Sequence, residues 1–253
     1  MKTATLTELF DAGVHFGHQK YRSVAQARKY VFQVRDGVMI FDLAATAELL
    51  GRALEFLQRS IADGKKPLIV GTRRHIRELV TELAKATNVP YVATRWPGGL
   101  ITNFDTMKRQ IQKFNDLSAR VVMEGEGSYR KKEKRVIEKK LEKMAKLFDG
   151  LRSLEKVPDV LIVIGATAEK TAIAEARVVG IPVIALADSD INPELIDFPI
   201  PANDDAKSSV ALIMRYLKEA IQAGLSLHAK KAKRGETTQK ISGKGEKKVA
   251  THD

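Results

Sequence analysis

The chain has 253 residues, 44% hydrophobic content, no cysteine and a net charge of +12. That length and apolar fraction suffice for one large domain or a domain with an insertion, while the missing thiols exclude disulfide scaffolds, thiolate zinc sites and cysteine nucleophiles. No stretch reaches the roughly 18 consecutive apolar residues of a membrane span and the N-terminus lacks a signal peptide's apolar run, so a cytoplasmic protein with no membrane partner is expected.

In chain order, Thr5 and Glu8 predict a capping box on a short first helix that stops at Gly13. Apolar, β-branched runs then predict strands at Val38 to Phe41, Pro67 to Val70, Val89 to Ala93, Val160 to Ile164 and Ile181 to Ala185. Between them, helical spacing joins Leu43, Ala47, Leu50, Leu54, Leu57 and Ile61, then Ile76, Leu79, Val80 and Leu83, then Ala172, Ile173, Ala176 and Val179. Gly64 and Gly180 stop two of these helices just before the next strand. Continuous apolar strands alternating with amphipathic helices predict an α/β fold, a parallel sheet covered on both faces with right-handed crossovers.

From Phe104 to Leu151 the rhythm changes. Phe104, Met107, Ile111, Phe114 and Val121 form one narrow apolar stripe, and Ile137, Leu141, Met144, Phe148 and Leu151 form another. With Gly125 and Gly127 between them, an antiparallel helical hairpin sealed as a coiled coil is the economical structure. A last helix is expected from about Asp204 to Gln222, followed by a polar tail unable to fold alone. The expected organisation is thus an α/β body over residues 1–103 and 152–226, an inserted hairpin over 104–151, and a disordered basic tail over 227–253.

The charge is unevenly spread. Residues 105–156 hold fifteen Lys/Arg against nine Asp/Glu, and residues 229–253 hold eight against three, which leaves the remainder nearly neutral. A neutral body with two basic extensions points to a polyanionic partner. A third cluster, Lys20, Arg22, Arg28 and Lys29, is interleaved with Tyr21 and Tyr30. Cations beside aromatic rings suit RNA, where backbone contact accompanies stacking.

Signs of catalysis are weak. Val70-Gly71-Thr72-Arg73 and Ile164-Gly165-Ala166-Thr167 each place a small residue where a strand meets a helix, yet neither completes a phosphate-loop fingerprint. Asp188 and Asp190, with Asp204 and Asp205, lie where open α/β sheets bind ligands and are of the type that holds Mg²⁺; equally, Asp and Asn after strands make Asx turns and helix caps. His15 and His18 have ligand-like spacing without a third donor nearby, so structural or RNA-contacting histidines are expected instead. No cofactor, metal or small-molecule substrate is expected. A Mg²⁺-dependent phosphotransfer or phosphohydrolase enzyme built on Asp188 and Asp190 is one rival to a nucleic-acid-binding role, and a coiled-coil adaptor is a second.

Several strings together resemble one family. They are Leu9-Phe10-Asp11-Ala12-Gly13-Val14-His15-Phe16-Gly17-His18-Gln19, Arg95-Trp96-Pro97-Gly98-Gly99-Leu100-Ile101-Thr102-Asn103-Phe104, Val157-Pro158-Asp159, Glu175-Ala176-Arg177 with Gly180-Ile181-Pro182-Val183, and Pro199-Ile200-Pro201-Ala202-Asn203-Asp204-Asp205-Ala206. In this order the chain resembles small-subunit ribosomal protein S2 of bacterial or organellar type over about residues 6 to 225. It departs from the family at Ser23-Val24-Ala25-Gln26, where Trp-Asn-Pro-Lys is usual, and at Pro97 and Leu100, where Leu and Thr are usual. The resemblance implies a flavodoxin-like three-layer α/β/α body with an inserted hairpin and no catalytic activity. It also implies a place between head and body on the solvent side of the small subunit, late entry into assembly, contact with 16S-type rRNA and neighbouring proteins, and in many bacteria recruitment of ribosomal protein S1. Charge and resemblance together nominate His15, His18, Lys20, Arg22, Arg28, Lys29, Arg95, Trp96, Asn103, Lys108, Arg109, Lys113, Arg130, Lys131, Lys132, Lys134 and Arg135 as rRNA-binding residues.

Overall fold

The computed structural model describes residues 4–124 and 131–245. Helix α1 (Leu6–Asp11) starts on the expected capping box: the Thr5 hydroxyl accepts from the Glu8 amide, and the Glu8 carboxylate accepts from the Thr5 amide. Gly13 follows at φ 72°, where a side chain would be strained.

Strands β1 (Phe16–Gln19), β2 (Val31–Arg35) and β3 (Val38–Phe41) form a separate antiparallel sheet in the order β1-β3-β2. The run Val38 to Phe41 therefore does not belong to the parallel sheet as expected. Its partner arrives through Asp36 and Gly37, both at positive φ (51° and 78°), the geometry of a tight hairpin turn whose twist matches that of its strands.

The parallel sheet contains β4 (Pro67–Val70), β5 (Tyr91–Val92), β6 (Val160–Ile164), β7 (Val183–Ala187) and β8 (Phe198–Pro201), ordered β5-β4-β6-β7-β8. Numbered within the sheet this is 2-1-3-4-5, the flavodoxin-like order. Two boundaries differ from expectation: β5 keeps only two residues of the run from Val89, and β7 begins two residues later than Ile181. Strand β8 carries Pro199 and Pro201, which lack an amide donor and are tolerated because it is an edge strand.

Alternate residues serve opposite faces of the sheet. Ile69, Ile162 and Ile184 pack with α2 (Leu43–Ala62), α3 (Arg77–Thr87) and α7 (Lys207–Gly245), whose Leu57, Val80 and Leu217 belong to the same buried cluster. Leu68, Val70, Leu161, Val163, Val183 and Ala185 face the other way, toward α6 (Lys170–Val179). That second layer also receives the roots of α4 (Phe104–Glu124) and α5 (Lys131–Phe148), the two helices inserted between β5 and β6. Ile111, Phe114 and Phe148 are buried there, with the Phe114 and Phe148 rings 6.4 Å apart. Gly125 and Gly127, expected to make the reversal, lie outside the described residues.

Helix α7 does not stop near Gln222: it continues to Gly245. Its continuation past the sheet is anchored on the end of α2, where Lys231 pairs with Asp63 at 2.8 Å and His228 lies 3.3 Å from the Ala62 carbonyl. Lys and Ala in this stretch are good helix formers, so a polar composition does not end the helix.

Candidate nucleic-acid interface

The insertion leaves the body through residues 95–103, a segment without regular strand that is organised by one side chain. Glu175, on the buried face of α6, accepts from Trp96 Nε1 at 2.9 Å, the Gly99 amide at 2.8 Å, the Ile101 and Thr102 amides at 3.1 and 3.2 Å, and the Thr102 hydroxyl at 3.2 Å. Burial would raise the Glu175 pKa, but these donors outweigh it and hold the carboxyl below its ordinary value. Trp96 is only 8% exposed, and its indole N–H is already used. Arg95 and Asn103, on either side, are exposed.

The return path is equally tight. After α5 a short 3-10 turn (Asp149–Leu151) brings Gly150 against β5, where a Cβ would collide with the Tyr91 carbonyl and ring. Across the root, the Asn115 side chain donates to the Arg152 carbonyl at 3.1 Å and the Arg152 guanidinium lies 4.2 Å from the centre of the Phe114 ring. Outward from this root the helices turn their charges to solvent: Lys108, Arg109 and Lys113 on α4, and Arg135, Lys139, Lys140 and Lys143 on α5, are exposed. Arg130 and the side chains of Lys131, Lys132 and Lys134 lie outside the described residues.

The N-terminal cluster is divided by burial. Lys20, Arg22, Arg28 and Lys29 are exposed, as is Tyr21. Lys29 lies 5.2 Å from the Tyr30 ring centre and 3.8 Å from Glu194. His15 instead stacks on Phe10 with ring centres 4.6 Å apart, and burial lowers its pKa, so it presents an aromatic surface rather than a cation. His18 is buried, its Nδ1 2.9 Å from Asp188 and its Nε2 3.3 Å from Asp205. The Asp188 bond, opposed by desolvation, raises its pKa to about 8. Such an inward-facing imidazolium held by carboxylates makes a structural ion pair. The divergent stretch beside it is tied to the body: Ser23 Oγ lies 2.9 Å from Ser189 Oγ and the Val24 amide donates to the Ser189 carbonyl.

The crevice above β4 and β6, where a doubly wound sheet changes direction and binds ligands, is filled by its own side chains. Glu169 accepts from the Thr72 amide at 2.8 Å and the Thr72 hydroxyl at 2.6 Å, occupying donors that a phosphate would need. Arg73 turns to Asp204 and Asp205 at 2.6 and 2.7 Å. Asp190 accepts from Thr167, Asp188 from the Asp204 amide, and Asn203 Oδ1 from the Asp205 and Ala206 amides. These are the turn and capping bonds that Asp and Asn make after strands. Burial and the nearby Asp188 charge raise the Asp204 pKa to about 7 despite Arg73. Among the described residues, no three His, Asp or Glu side chains are arranged to hold a metal ion, and no described helix is long and apolar enough to cross a membrane.

The family model for ribosomal protein S2 matches residues 9–224. The chain belongs to the ribosomal protein S2 family. It is similar to the small ribosomal subunit protein uS2 of Wolinella succinogenes, 39% identical over 94% of this chain and 87% of the relative. The uS2 of Dictyoglomus thermophilum is 40% identical over 90% and 92%, and the uS2c of Rhodomonas salina 38% identical over 88% and 92%. The S2 family match spans both halves of the body and the insertion between them.

Two site residues escaped sequence reasoning. Glu175 lies within a family string, but its donors are 73 to 79 positions away in the chain. Glu169 reads as an ordinary residue at a helix start, and only the fold sets it against Thr72.

Proposed function

We propose that this protein is a structural component of the small ribosomal subunit that binds rRNA and supports assembly and translation, with no catalytic activity of its own. The observation that carries this reading is the S2 family match across residues 9–224. The α/β body acts as a platform. The exposed faces of α4 and α5, paired as a coiled coil, together with the N-terminal cations, make the rRNA contacts. Lys108, Arg109, Lys113 and Arg135 meet phosphates on one surface, and Lys20, Arg22, Arg28 and Lys29 on another, with Arg95 and Asn103 at the root. Such contacts position rather than specify, so rRNA architecture selects the binding place.

Neighbouring subunit proteins need a different surface, and one is available between α1, β2, β3 and the start of α2. A groove of about 570 Å³ there is lined by Leu6, Phe10, His15, Phe32 and Phe41, with Phe10 60% and Phe32 71% exposed. Aromatic, apolar and lined by no Lys or Arg, it suits a protein neighbour, ribosomal protein S1 being the one that the family resemblance suggests. The test is co-sedimentation of the purified protein with small subunits lacking it, in low salt, read by immunoblot. Stoichiometric comigration with the small subunit is expected, and a protein that stays at the top of the gradient would overturn the reading.

A further inference from the structure

Glu175 gathers five donors from a segment of seven residues, Trp96 to Thr102, onto one buried carboxylate. All five belong to the last stretch of body before α4. The same segment is continued into the helix by backbone bonds, from the Asn103 amide to the Gly99 carbonyl at 2.8 Å and from the Met107 amide to the Asn103 carbonyl at 3.2 Å. Leu100 and Ile101 are buried in the same core layer as Ala172 and Ala176, the neighbours of Glu175 one turn away and next in sequence. The carboxylate thus joins a rigid helix of the body to the first turn of the insertion, and it does so from a buried position, whereas Asp105 in that first turn is exposed.

We propose that Glu175 is the positioning residue that sets the direction in which α4 and α5 leave the body, and that rRNA binding depends on it although it touches no RNA. This rests on the rRNA-binding reading above. The chemistry is specific to a carboxylate. Five N–H and O–H donors converge on two acceptor oxygens, so the amide of a Gln would turn its own N–H₂ toward donors and leave several unpaired. An Asp would keep the charge but fall short by one methylene. The deeper core of α6, made by Ala172, Ile173 and Ala176, does not need the carboxylate to pack.

Because the chain has no cysteine, a nitroxide pair can be placed by Glu55→Cys on exposed α2 and Lys139→Cys on exposed α5, and the distance distribution measured by pulsed electron resonance. In the otherwise unaltered protein one narrow distribution is expected. Glu175→Gln should broaden it at least twofold with circular dichroism unchanged. In unlabelled protein the same substitution should weaken binding to a small-subunit rRNA fragment about tenfold while leaving the dependence of log K on log salt unchanged, because every phosphate-contacting cation remains. Leu57→Ala, in the opposite core layer, serves as a control for lost stability alone and should leave the distribution narrow. Should Glu175→Gln fail to fold, Trp96→Phe with Thr102→Val removes two of the five donors and keeps the carboxylate; broadening is again expected. An unchanged distribution in the folded Glu175 variant, or in the double variant where it is needed, overturns the proposal. So does equal broadening in Leu57→Ala. Failure of the rRNA-binding reading would show separately, as an unaltered protein with a narrow distribution and no affinity for the rRNA.

Discussion

The crevice above β4 and β6 and the outer faces of α4 and α5 are both rich in charge, but they treat it in opposite ways. In the crevice the charged groups are engaged within the protein: Glu169 accepts from Thr72, Arg73 pairs with Asp204 and Asp205, and His18 pairs with Asp188. On the insertion, Lys108, Lys113, Lys139, Lys140 and Lys143 take part in none of the ion pairs found among the described residues. A ligand entering the crevice would have to displace internal partners, whereas a polyanion reaching the insertion displaces only counterions. The position of charge in the fold, more than its amount, separates a sealed ligand site from an open binding surface.

The largest effect is expected where the insertion meets the body. Gly150→Ala drives a methyl group into the Tyr91 carbonyl, and the backbone shift it forces should cost about 3 kcal/mol, measurable as a lower urea midpoint. A midpoint within error of the parent would show that the return path is looser than described.

Next comes the pH dependence of the sealed region. His18 has a folded-state pKa of about 8 against an ordinary 6.5. Its contribution is therefore fully present below pH 6.5 and lost as pH rises through 8. Roughly 2 kcal/mol of stability should disappear over that range, and His18→Gln should flatten the decline. Asp204, raised to about 7, adds its own decline between about pH 4 and 7, so the region from pH 7 to 9 isolates the histidine. A His18→Gln variant that retains the full slope there would remove the ion pair from the account.

A smaller change is expected from Thr72→Val. It deletes one of two donors to Glu169, leaves the buried carboxylate under-satisfied and should cost about 1 to 2 kcal/mol. Its rRNA affinity should match the parent, because Thr72 is already bonded to Glu169 and none of the exposed cations is altered. A filter-binding assay that shows a large loss would break the contrast between the two regions.

What the sequence disclosed follows the range of the interactions involved. The Thr5–Glu8 capping box and the stop at Gly180 are set by neighbours within a few residues, and both appear as expected. The apolar runs of β4 and β6 are long enough to be read directly. Strand β8 was hidden because its two prolines argue against a strand until its edge position is known. Val38 to Phe41 has the composition of a parallel strand, and only its pairing with Val31 to Arg35 assigns it to the antiparallel sheet. Site residues were harder. Composition marks the exposed lysines of α4, yet it cannot tell an aromatic that stacks on RNA from Trp96, whose partner is fixed by tertiary contact. The same limit hides the partner of His18, which the fold turns toward Asp188.

The central claim is that the exposed cations of the insertion carry the rRNA contacts. It is tested most directly by a salt titration of binding to a small-subunit rRNA fragment, comparing the parent with a variant carrying Lys108→Glu, Arg109→Glu, Lys113→Glu and Arg135→Glu. These side chains are exposed, so each reversal should change stability by about 0.5 kcal/mol or less, and circular dichroism should confirm a folded protein. The variant should bind more weakly, and its dependence of log K on log salt should flatten by roughly 0.7 to 0.9 per lost contact. Equal affinities and equal slopes would contradict the account, reducing the charged faces of α4 and α5 to solvated helix surfaces.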